Sequence, residues 1–237
     1  MRIITILLAL AAGVFAQAEE SAKKIFKEGE HYVRLPTPVR TADPQKIEVT
    51  EVFWYGCGHC YTFEPQLKSW RRTLPDEVLF VESPAMWRGN METHARIFYT
   101  AKTLGMLDTM HSAVFDAMHI DKMKLDRSEQ IRALFEKHGV STDDFDKVFN
   151  SFSVTSSVNQ AKARARSYGI TGTPEIVVDG TYRISGRMAG SQANMLAVAE
   201  HLICKINAEK KSGDKSTANT DAVEQARISS FCAGYAQ

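Results

Sequence analysis

Two cysteines separated by only two residues, Cys57 and Cys60, are the residues of this chain best suited to do chemistry. They follow an apolar, strand-like run and precede a helical pattern. At the start of a helix, free backbone N–H groups and the positive end of the helix dipole favour a thiolate on the first cysteine. His59, between the two cysteines, can add a positive charge beside it. The spacing therefore predicts a disulfide that opens and closes by thiol exchange.

The same spacing would also supply two of the four ligands of a tetrahedral zinc site. A second ligand pair would then be needed, and the remaining cysteines, Cys204 and Cys232, stand alone far downstream. A purely structural role for the first pair is disfavoured, because closing so small a loop hardly constrains the unfolded chain. We therefore expect no metal and no cofactor other than a redox-active Cys57–Cys60 disulfide.

The first 18 residues have the features of a cleaved export signal. Arg2 provides a short positive region, Ile3–Leu10 is apolar, and Ala16-Gln17-Ala18 fits the small-residue rule for a cleavage site. The apolar run is too short to span a bilayer. We expect an exported, soluble protein.

The charges balance once the signal is removed. Without Arg2, the 29 Lys and Arg residues fall to the number of Asp and Glu residues, 28. This balance argues against nucleic acid or an anionic membrane as the main partner. Export also places the cysteines where disulfides persist, so Cys204 and Cys232 are expected to form a structural disulfide. The alternative is a buried Cys204 and an unattached Cys232.

The elements that must position the first cysteine pair follow from the hydrophobic pattern. The β-branched run Ile47–Trp54 is typical of a central strand covered on both faces. A helix carrying Cys60 and a second strand, Val78–Val81, complete a β-α-β unit. From residue 92 to about 152 the apolar period is helical. Within that stretch Asp126 and Ser141, each followed three residues later by an acid, are predicted N-caps.

After the helical stretch, the predicted elements are again a mixture of helices and strands. A helix over about 156–168 precedes two short strands joined by the hairpin turn Asp179-Gly180, and a last helix covers about 191–208. The pattern predicts an α/β protein with a thioredoxin fold interrupted by an all-helical insertion domain. The predicted parts are a signal peptide (1–18), a discontinuous thioredoxin-like domain (19–90 and 155–210), the helical insertion (91–154) and a polar C-terminal tail (211–237).

With these elements in place, the chain resembles the DsbA family of exported thiol:disulfide oxidoreductases over nearly all of its mature length. The segments that carry the resemblance are Glu51–Tyr61, Phe63-Glu64-Pro65 and Tyr168–Pro174. The resemblance implies a monomeric periplasmic protein that donates disulfides to unfolded or partly folded exported proteins containing cysteine. It also implies reoxidation by a DsbB-like, quinone-linked oxidase of the inner membrane.

The resemblance assigns roles to individual residues. Cys57 would be attacked by the substrate, Cys60 would be the second cysteine, and His59 would stabilise the Cys57 thiolate. Glu51, a carboxylate on an otherwise apolar strand face, would shuttle the proton of Cys60.

Substrate contacts are also implied. Gly58 would lie against the bound substrate, and Thr173 would present backbone atoms to it. Pro174 would form a cis peptide bond facing the cysteines. Met86 and Trp87 are expected to add an apolar patch for unfolded chains.

Two departures from the family pattern qualify these expectations. Between the cysteines stands Gly-His, where family oxidases more often carry Pro-His, and Thr173 precedes the proline. Both suggest a less strongly oxidising couple, so the alternative function is a disulfide isomerase or reductase with the same active site. A chaperone or structural module with an incidental cysteine pair is a further alternative.

The second departure concerns Glu82, which stands where relatives often carry a basic partner for the buried acid. If Glu51 and Glu82 are both buried, their repulsion would raise the pKa of at least one carboxyl group. Alternatively, Glu82 points to solvent and has no role.

Overall fold

The computed structural model describes residues 26–87, 89–213 and 222–235. The predicted signal peptide, residues 1–18, lies outside the described residues, as do residues 214–221 of the predicted tail. The strands are β1 (Val33–Arg34), β2 (Ile47–Phe53), β3 (Val78–Pro84), β4 (Glu175–Val178) and β5 (Tyr182–Ser185). The helices are α1 (Gly58–Arg71), α2 (Met91–Thr103), α3 (Leu107–His119), α4 (Ser128–Lys137), α5 (Thr142–Phe149), α6 (Phe152–Ser167), α7 (Gly186–Ala189), α8 (Gln192–Gly213) and α9 (Ala222–Cys232).

One five-stranded sheet, in the order β1-β5-β4-β2-β3, organises the molecule. The central strand β2 pairs in parallel with β3 and antiparallel with β4. All seven of its residues are buried, as expected for a strand covered on both faces. Helices α2 to α6 separate β3 from β4 along the chain. The thioredoxin fold interrupted by a helical insertion is therefore confirmed.

The core lies in two parts, one on each side of the sheet. The first joins the sheet to the insertion and includes Phe53, Phe98 and Phe115. The second packs α1 and α8 on the opposite face and includes Leu67 and Leu202. No helix among the described residues is long and apolar enough to cross a membrane.

Two helices of the insertion region begin directly after a serine that caps them, whereas the predicted aspartate cap does not form. Ser141 caps α5 as predicted, accepting a hydrogen bond from the backbone N–H of Asp144 at 3.1 Å. Ser151 does the same for α6, so that helix begins at Phe152, four residues before the predicted start. The predicted cap at Asp126 is wrong, because α4 begins after Arg127 without a side-chain cap.

The β4–β5 hairpin explains one glycine. Val178 pairs with Tyr182, so the loop has three residues rather than the two predicted. Gly180 has a φ of +58°, and an added Cβ would collide with the carbonyl oxygen of Val39. The two backbone segments are hydrogen-bonded at this point, since Val39 N donates to Gly180 O at 2.8 Å. Only glycine fits here without strain.

The C-terminal segment docks on α8, which runs five residues further than predicted. A disulfide joins Cys204 on α8 to Cys232 at the end of α9. The side chain of Ile228 on α9 is buried, and Tyr235 Oη donates to Glu200 Oε2 at 2.6 Å. The disulfide that the sequence led us to expect therefore ties the end of α9 to α8.

Replacing both Cys204 and Cys232 with serine is expected to lower the free energy of unfolding by about 3–4 kcal/mol. The reason is the entropy of closing a loop with a sequence separation of 28. Urea denaturation of the two proteins measures the difference. Tyr235→Phe is the matched control, since it removes one hydrogen bond from the same docking surface and should cost only about 1 kcal/mol. Equal midpoints for the double variant and the parent would contradict the prediction.

Candidate active site

The turn between β2 and α1 places the Cys57 sulfur at the positive end of a helix. Cys57 is the N-cap residue of α1, with an extended backbone (φ −90°, ψ 114°). Its N–H donates to Trp54 O at 2.9 Å, and its carbonyl accepts from Tyr61 N at 3.1 Å. Gly56 is required in this turn, because a Cβ there would collide with the Trp54 ring. The turn therefore fixes the sulfur beside the first free N–H groups of the helix.

The two cysteines differ in accessibility. Both are free thiols in this structure; Cys57 is partly exposed and Cys60 is buried. An incoming sulfur can therefore reach Cys57, while Cys60 is shielded by the fold.

The environment of Cys57 favours its anion. Its pKa is lowered from 9.0 to about 5, chiefly by a hydrogen bond from Cys60, with burial acting in the opposite direction. Thr173 and the backbone N–H groups of Cys60 and His59 lower it further. His59 thus acts on the sulfur through its backbone, while its side chain lies at the surface.

Cys60 has the opposite preference. Burial raises its pKa well above the usual 9.0, and its hydrogen bond with Cys57 and the charges of Glu51 and Cys57 act in the same direction. At neutral pH the pair therefore carries its negative charge on Cys57. A sulfur that is stable as an anion is both a good nucleophile at that pH and a good leaving group.

The loop before β4 reaches the active sulfur. The peptide bond between Thr173 and Pro174 is cis. The Cys57 thiol lies 3.2 Å from the carbonyl oxygen of Thr173. Glu175 fixes this loop, because its Oε1 accepts from the backbone N–H groups of Thr171 at 3.2 Å and Gly172 at 2.9 Å. Glu175 is not among the residues predicted from the sequence, where its only signal is an acid at the start of a buried strand.

Two open surfaces flank Cys57. One is lined by Trp54, Trp87 and Thr173; Trp87 is 47% exposed, and its Nε1 donates to Ile170 O at 3.3 Å. Met86 is buried, so its expected place in an apolar surface patch is wrong.

The other surface is a groove on the far side of the cysteine pair. It is lined by His59, Pro174, Met188 and Gln192. Gln192, at the first turn of α8, donates to His59 O at 2.6 Å. Gly58, which follows Cys57 in the chain, is exposed.

Glu51 is a fully buried carboxyl group without a hydrogen bond to either oxygen among the described residues. Burial raises its pKa well above 4.5, and the charges of Glu64, Glu82 and Cys57 raise it further. The neutral acid is therefore favoured. Its charge also raises the pKa of Cys60, so the two groups are electrostatically linked.

Glu82 pairs with Glu51 in the register of β2 and β3. Its side chain is only 13% exposed, and Oε1 lies 3.7 Å from Arg71 Nη1 and 3.8 Å from His111 Nε2. The alternative in which Glu82 points to solvent is therefore wrong. His111 was not identified from the sequence, where it is one polar residue on an otherwise apolar helical stripe.

Among residues 26–87, 89–213 and 222–235, no group of three or more His, Cys, Asp or Glu side chains could hold a metal ion.

The chain is similar to a known family model and to named proteins from two bacteria. A family model described as "DSBA-like thioredoxin domain" matches residues 78–200, which begin after the cysteine pair and end before Cys204. The chain is 43% identical over 187 residues to the thiol:disulfide interchange protein DsbA of Azotobacter vinelandii, covering 79% of this chain and 87% of the relative. It is 38% identical over 211 residues to DsbA of Pseudomonas aeruginosa, covering 88% and 98%.

Solved structures agree. The crystal structure of Pseudomonas aeruginosa DsbA superposes with a TM-score of 0.76 at 39% identity, covering 78% of this chain and 97% of that one. The oxidoreductase DsbA from Xylella fastidiosa gives a TM-score of 0.73 at 30% identity, covering 78% and 100%.

Proposed function

This chain belongs to the DsbA family, and from that membership and the contrast between Cys57 and Cys60 we propose how it transfers a disulfide. It is a protein thiol:disulfide oxidoreductase that donates disulfides. The observation that carries the assignment of the reacting sulfur is the lowered pKa of the accessible Cys57 beside the raised pKa of the buried Cys60.

The reaction is two successive exchanges. A substrate thiolate attacks Cys57 Sγ of the Cys57–Cys60 disulfide, forming a mixed disulfide and releasing Cys60, which takes up a proton. A second substrate thiolate then attacks the substrate sulfur of the mixed disulfide and releases Cys57 as a thiolate. The substrate loses two electrons and gains a disulfide, and the enzyme becomes the dithiol.

Glu51 is the proton partner of Cys60 in this proposal. Because burial raises the pKa of Glu51 well above 4.5, this carboxyl group retains its proton at a higher pH than an exposed one and can give a proton to Cys60 or accept one from it. The charge of Glu51 raises the pKa of Cys60, which supports the pairing. His59 contributes its backbone N–H to the Cys57 anion.

Substrate binds across the exposed sulfur. Thr173 O lies 3.2 Å from Cys57 Sγ. It can accept a hydrogen bond from the backbone of an extended substrate peptide whose thiolate attacks Cys57. Pro174 lines the groove beside the cysteine pair, Gly58 is exposed next to Cys57 in the chain, and Trp87 offers an exposed ring for apolar side chains. Recognition of backbone and apolar surface suits unfolded chains of varied sequence.

The setting follows from the same proposal. The protein acts in the periplasm after removal of residues 1–18, as a monomer. Its partners are unfolded or partly folded exported proteins containing cysteine, and a DsbB-like quinone-linked oxidase of the inner membrane restores the disulfide. The Cys57–Cys60 disulfide is the redox group, with no further cofactor. Cys204 and Cys232 take no part in exchange.

Single-turnover oxidation of a reduced peptide with two cysteines tests the proposal. The oxidised protein should convert one equivalent of peptide dithiol to disulfide while two enzyme thiols appear. The Cys204→Ser/Cys232→Ser variant should do the same. Failure of the oxidised protein to oxidise the peptide, with reduction of scrambled disulfides instead, would favour the isomerase function.

Replacing Glu51 with leucine is expected to stabilise the fold by about 1–3 kcal/mol at neutral pH, because it removes a buried carboxyl group without partners. The folded pKa is raised above the unfolded value of 4.5, so the folded state holds the proton more tightly. The charge penalty is therefore absent below pH 4.5 and grows as the pH rises above it. Urea denaturation from pH 4 to 8 measures this.

Glu175→Leu is the matched control. Glu175 is equally enclosed, but its carboxylate accepts the loop N–H groups and lies 3.6 Å from Arg183 Nε. Its replacement should destabilise the protein. Destabilisation by both substitutions would show that Glu51 has a partner in solution and would contradict the prediction.

A further inference from the structure

Three carboxyl groups converge behind the active site. Glu51 comes from β2, Glu64 from α1 and Glu82 from β3, and the charges of Glu64 and Glu82 both raise the pKa of Glu51. Arg71 carries a permanent positive charge beside Glu82, at 3.7 Å, but its side chain is 47% exposed. Acids gathered in a partly buried region repel one another unless a positive charge lies between them.

His111 lies at that position. It belongs to α3 of the helical insertion and is 6% exposed. Its Nε2 lies 3.2 Å from Glu64 Oε1 and 3.8 Å from Glu82 Oε1, so a single nitrogen bridges the two acids. Its Nδ1 lies 2.9 Å from the hydroxyl oxygen of Tyr55. Both ring nitrogens thus have an oxygen partner.

The ring is held in this orientation by aromatic packing. Phe53 and Phe115 contact the imidazole edge to face, with centroid distances of 5.0 Å and 5.1 Å. Tyr55 adds a third ring at 5.2 Å. Because the position of His111 is set by this cluster, its partners cannot be exchanged by a simple rotation of the side chain.

The oxygen partners suit a ring with two N–H groups. An imidazolium donates from both nitrogens, whereas neutral imidazole donates from one only. Both Glu64 and Glu82 can accept, and the Tyr55 hydroxyl can accept as well as donate. Burial, aided by the charges of Glu82, Glu64 and Glu51, raises the pKa of Tyr55, so its hydroxyl stays neutral.

We propose that His111 is a positioning residue for proton exchange at the active site: as an imidazolium it binds Glu64 and Glu82, offsets their charge, and so sets the pH range in which Glu51 exchanges a proton with Cys60. His111 thereby supplies from α3 the positive charge that β3 lacks beside Glu51. This inference rests on the proposed role of Glu51. The charged or titratable groups around the ring are Tyr55 before α1, Glu64, Lys68 and Arg71 on α1, Glu82 on β3, and Asp108 on α3.

The test isolates one chemical step. Reduced enzyme carrying a mixed disulfide between Cys57 and a small thiol releases that thiol when Cys60 attacks, a step that requires deprotonation of Cys60. The release rate should rise with pH as Glu51 ionises. Because an adjacent cation lowers the pKa of a carboxyl group, His111→Gln should shift this rise upward by about one pH unit, or about tenfold in rate on the rising limb. His111→Lys, which retains a positive charge, should reverse most of the shift.

Matched variants separate charge from packing. Tyr55→Phe removes one oxygen acceptor of the imidazolium and keeps the ring cluster, so its pH profile should shift in the same direction as that of His111→Gln but by less. An unshifted profile in His111→Gln, in a protein where Glu51→Gln does change the profile, would overturn the role of His111 and leave that of Glu51 intact. An unchanged profile in Glu51→Gln would overturn both, while disulfide transfer by Cys57 is measured independently in the same samples.

A direct measurement needs no variant. Nitrogen-15 NMR of the parent protein labelled at histidine distinguishes imidazolium from the neutral tautomers, with His111 assigned by through-bond connection to its backbone. Two protonated nitrogens at pH 7 are expected. A neutral His111 ring throughout pH 6–8 would overturn the proposal even if His111→Gln fails to fold.

Discussion

Replacing Cys57 with serine is expected to abolish disulfide transfer, with a loss of at least about 10³-fold in rate, or about 4 kcal/mol of transition-state stabilisation. The thiolate is the reacting species, and a serine hydroxyl neither ionises in this pH range nor forms a disulfide. Oxidation of a reduced peptide with two cysteines, followed by the appearance of the peptide disulfide, measures the effect. Transfer at the parental rate by Cys57→Ser would exclude Cys57 as the sulfur attacked by substrate.

Cys60→Ser is the informative companion to that variant. It retains the accessible, acidic sulfur of Cys57 and removes the sulfur that resolves the mixed disulfide. When Cys57 is first activated as a mixed disulfide with a small aromatic thiol, substrate should remain attached to it. Non-reducing electrophoresis should then show a covalent complex that Cys57→Ser does not form. The control is to repeat the capture with Cys204 and Cys232 also replaced by serine. The amount of covalent complex should not change, because Cys204 and Cys232 should not capture substrate.

The reduced protein is expected to react with an aromatic disulfide reagent at pH 5 about 50- to 100-fold faster than an ordinary thiol does. With a pKa of about 5, half of Cys57 is thiolate at that pH. A thiol with the usual pKa of 9.0 is ionised to only about one part in 10⁴, whereas the lower basicity of Cys57 reduces the nucleophilicity of its anion by about 40- to 100-fold. Stopped-flow absorbance of the released aromatic thiol gives the rate.

The shape of the pH profile is the sharper part of this prediction. The rate for Cys57 should level off above about pH 6, whereas that of a free thiol such as reduced glutathione continues to rise toward pH 9. A profile for Cys57 that still rises between pH 7 and 9 would mean that the fold does not stabilise its anion.

The same shift has a consequence for folding. The folded pKa of Cys57 lies below its unfolded value of 9.0, so the anion stabilises the folded dithiol. This contribution is complete above pH 9 and is lost as the pH falls from 9 toward 5. The reduced Cys57→Ser variant lacks the ionising group and should show none of this pH dependence relative to the parent.

The features that sequence predicted well depend on local chemistry or on strong periodicity. The central strand β2, the cysteines at the start of α1, and the helical stripes of the insertion all express patterns that read directly from neighbouring residues. The function also followed from short motifs, because the CxxC spacing at a strand-to-helix junction and the Thr173-Pro174 pair are specific in combination.

The features that sequence missed depend on contacts between distant segments. His111 reaches Glu64 and Glu82 from a helix in the insertion, and Glu175 fixes the loop beside Cys57 by accepting its backbone N–H groups. Neither role has a local signature, because the partners lie on separate elements. The error at Asp126 is one of position: an acid before a helical pattern indicates that a helix begins nearby, but the pattern locates the first residue only to within one or two positions, and α4 begins after Arg127.

Helix α8 extends from the active site to the Cys204–Cys232 disulfide, and its length separates the two pairs of cysteines. Its first residue, Gln192, touches the backbone of His59, and Cys204 follows twelve positions later on the same rigid rod. At 1.5 Å per residue that is a separation of about 18 Å, far beyond the reach of a sulfur-to-sulfur attack. In the folded protein, the Cys57–Cys60 disulfide is therefore not expected to oxidise Cys204 and Cys232 of the same molecule, so we expect this bridge to be formed by another oxidant or before folding is complete.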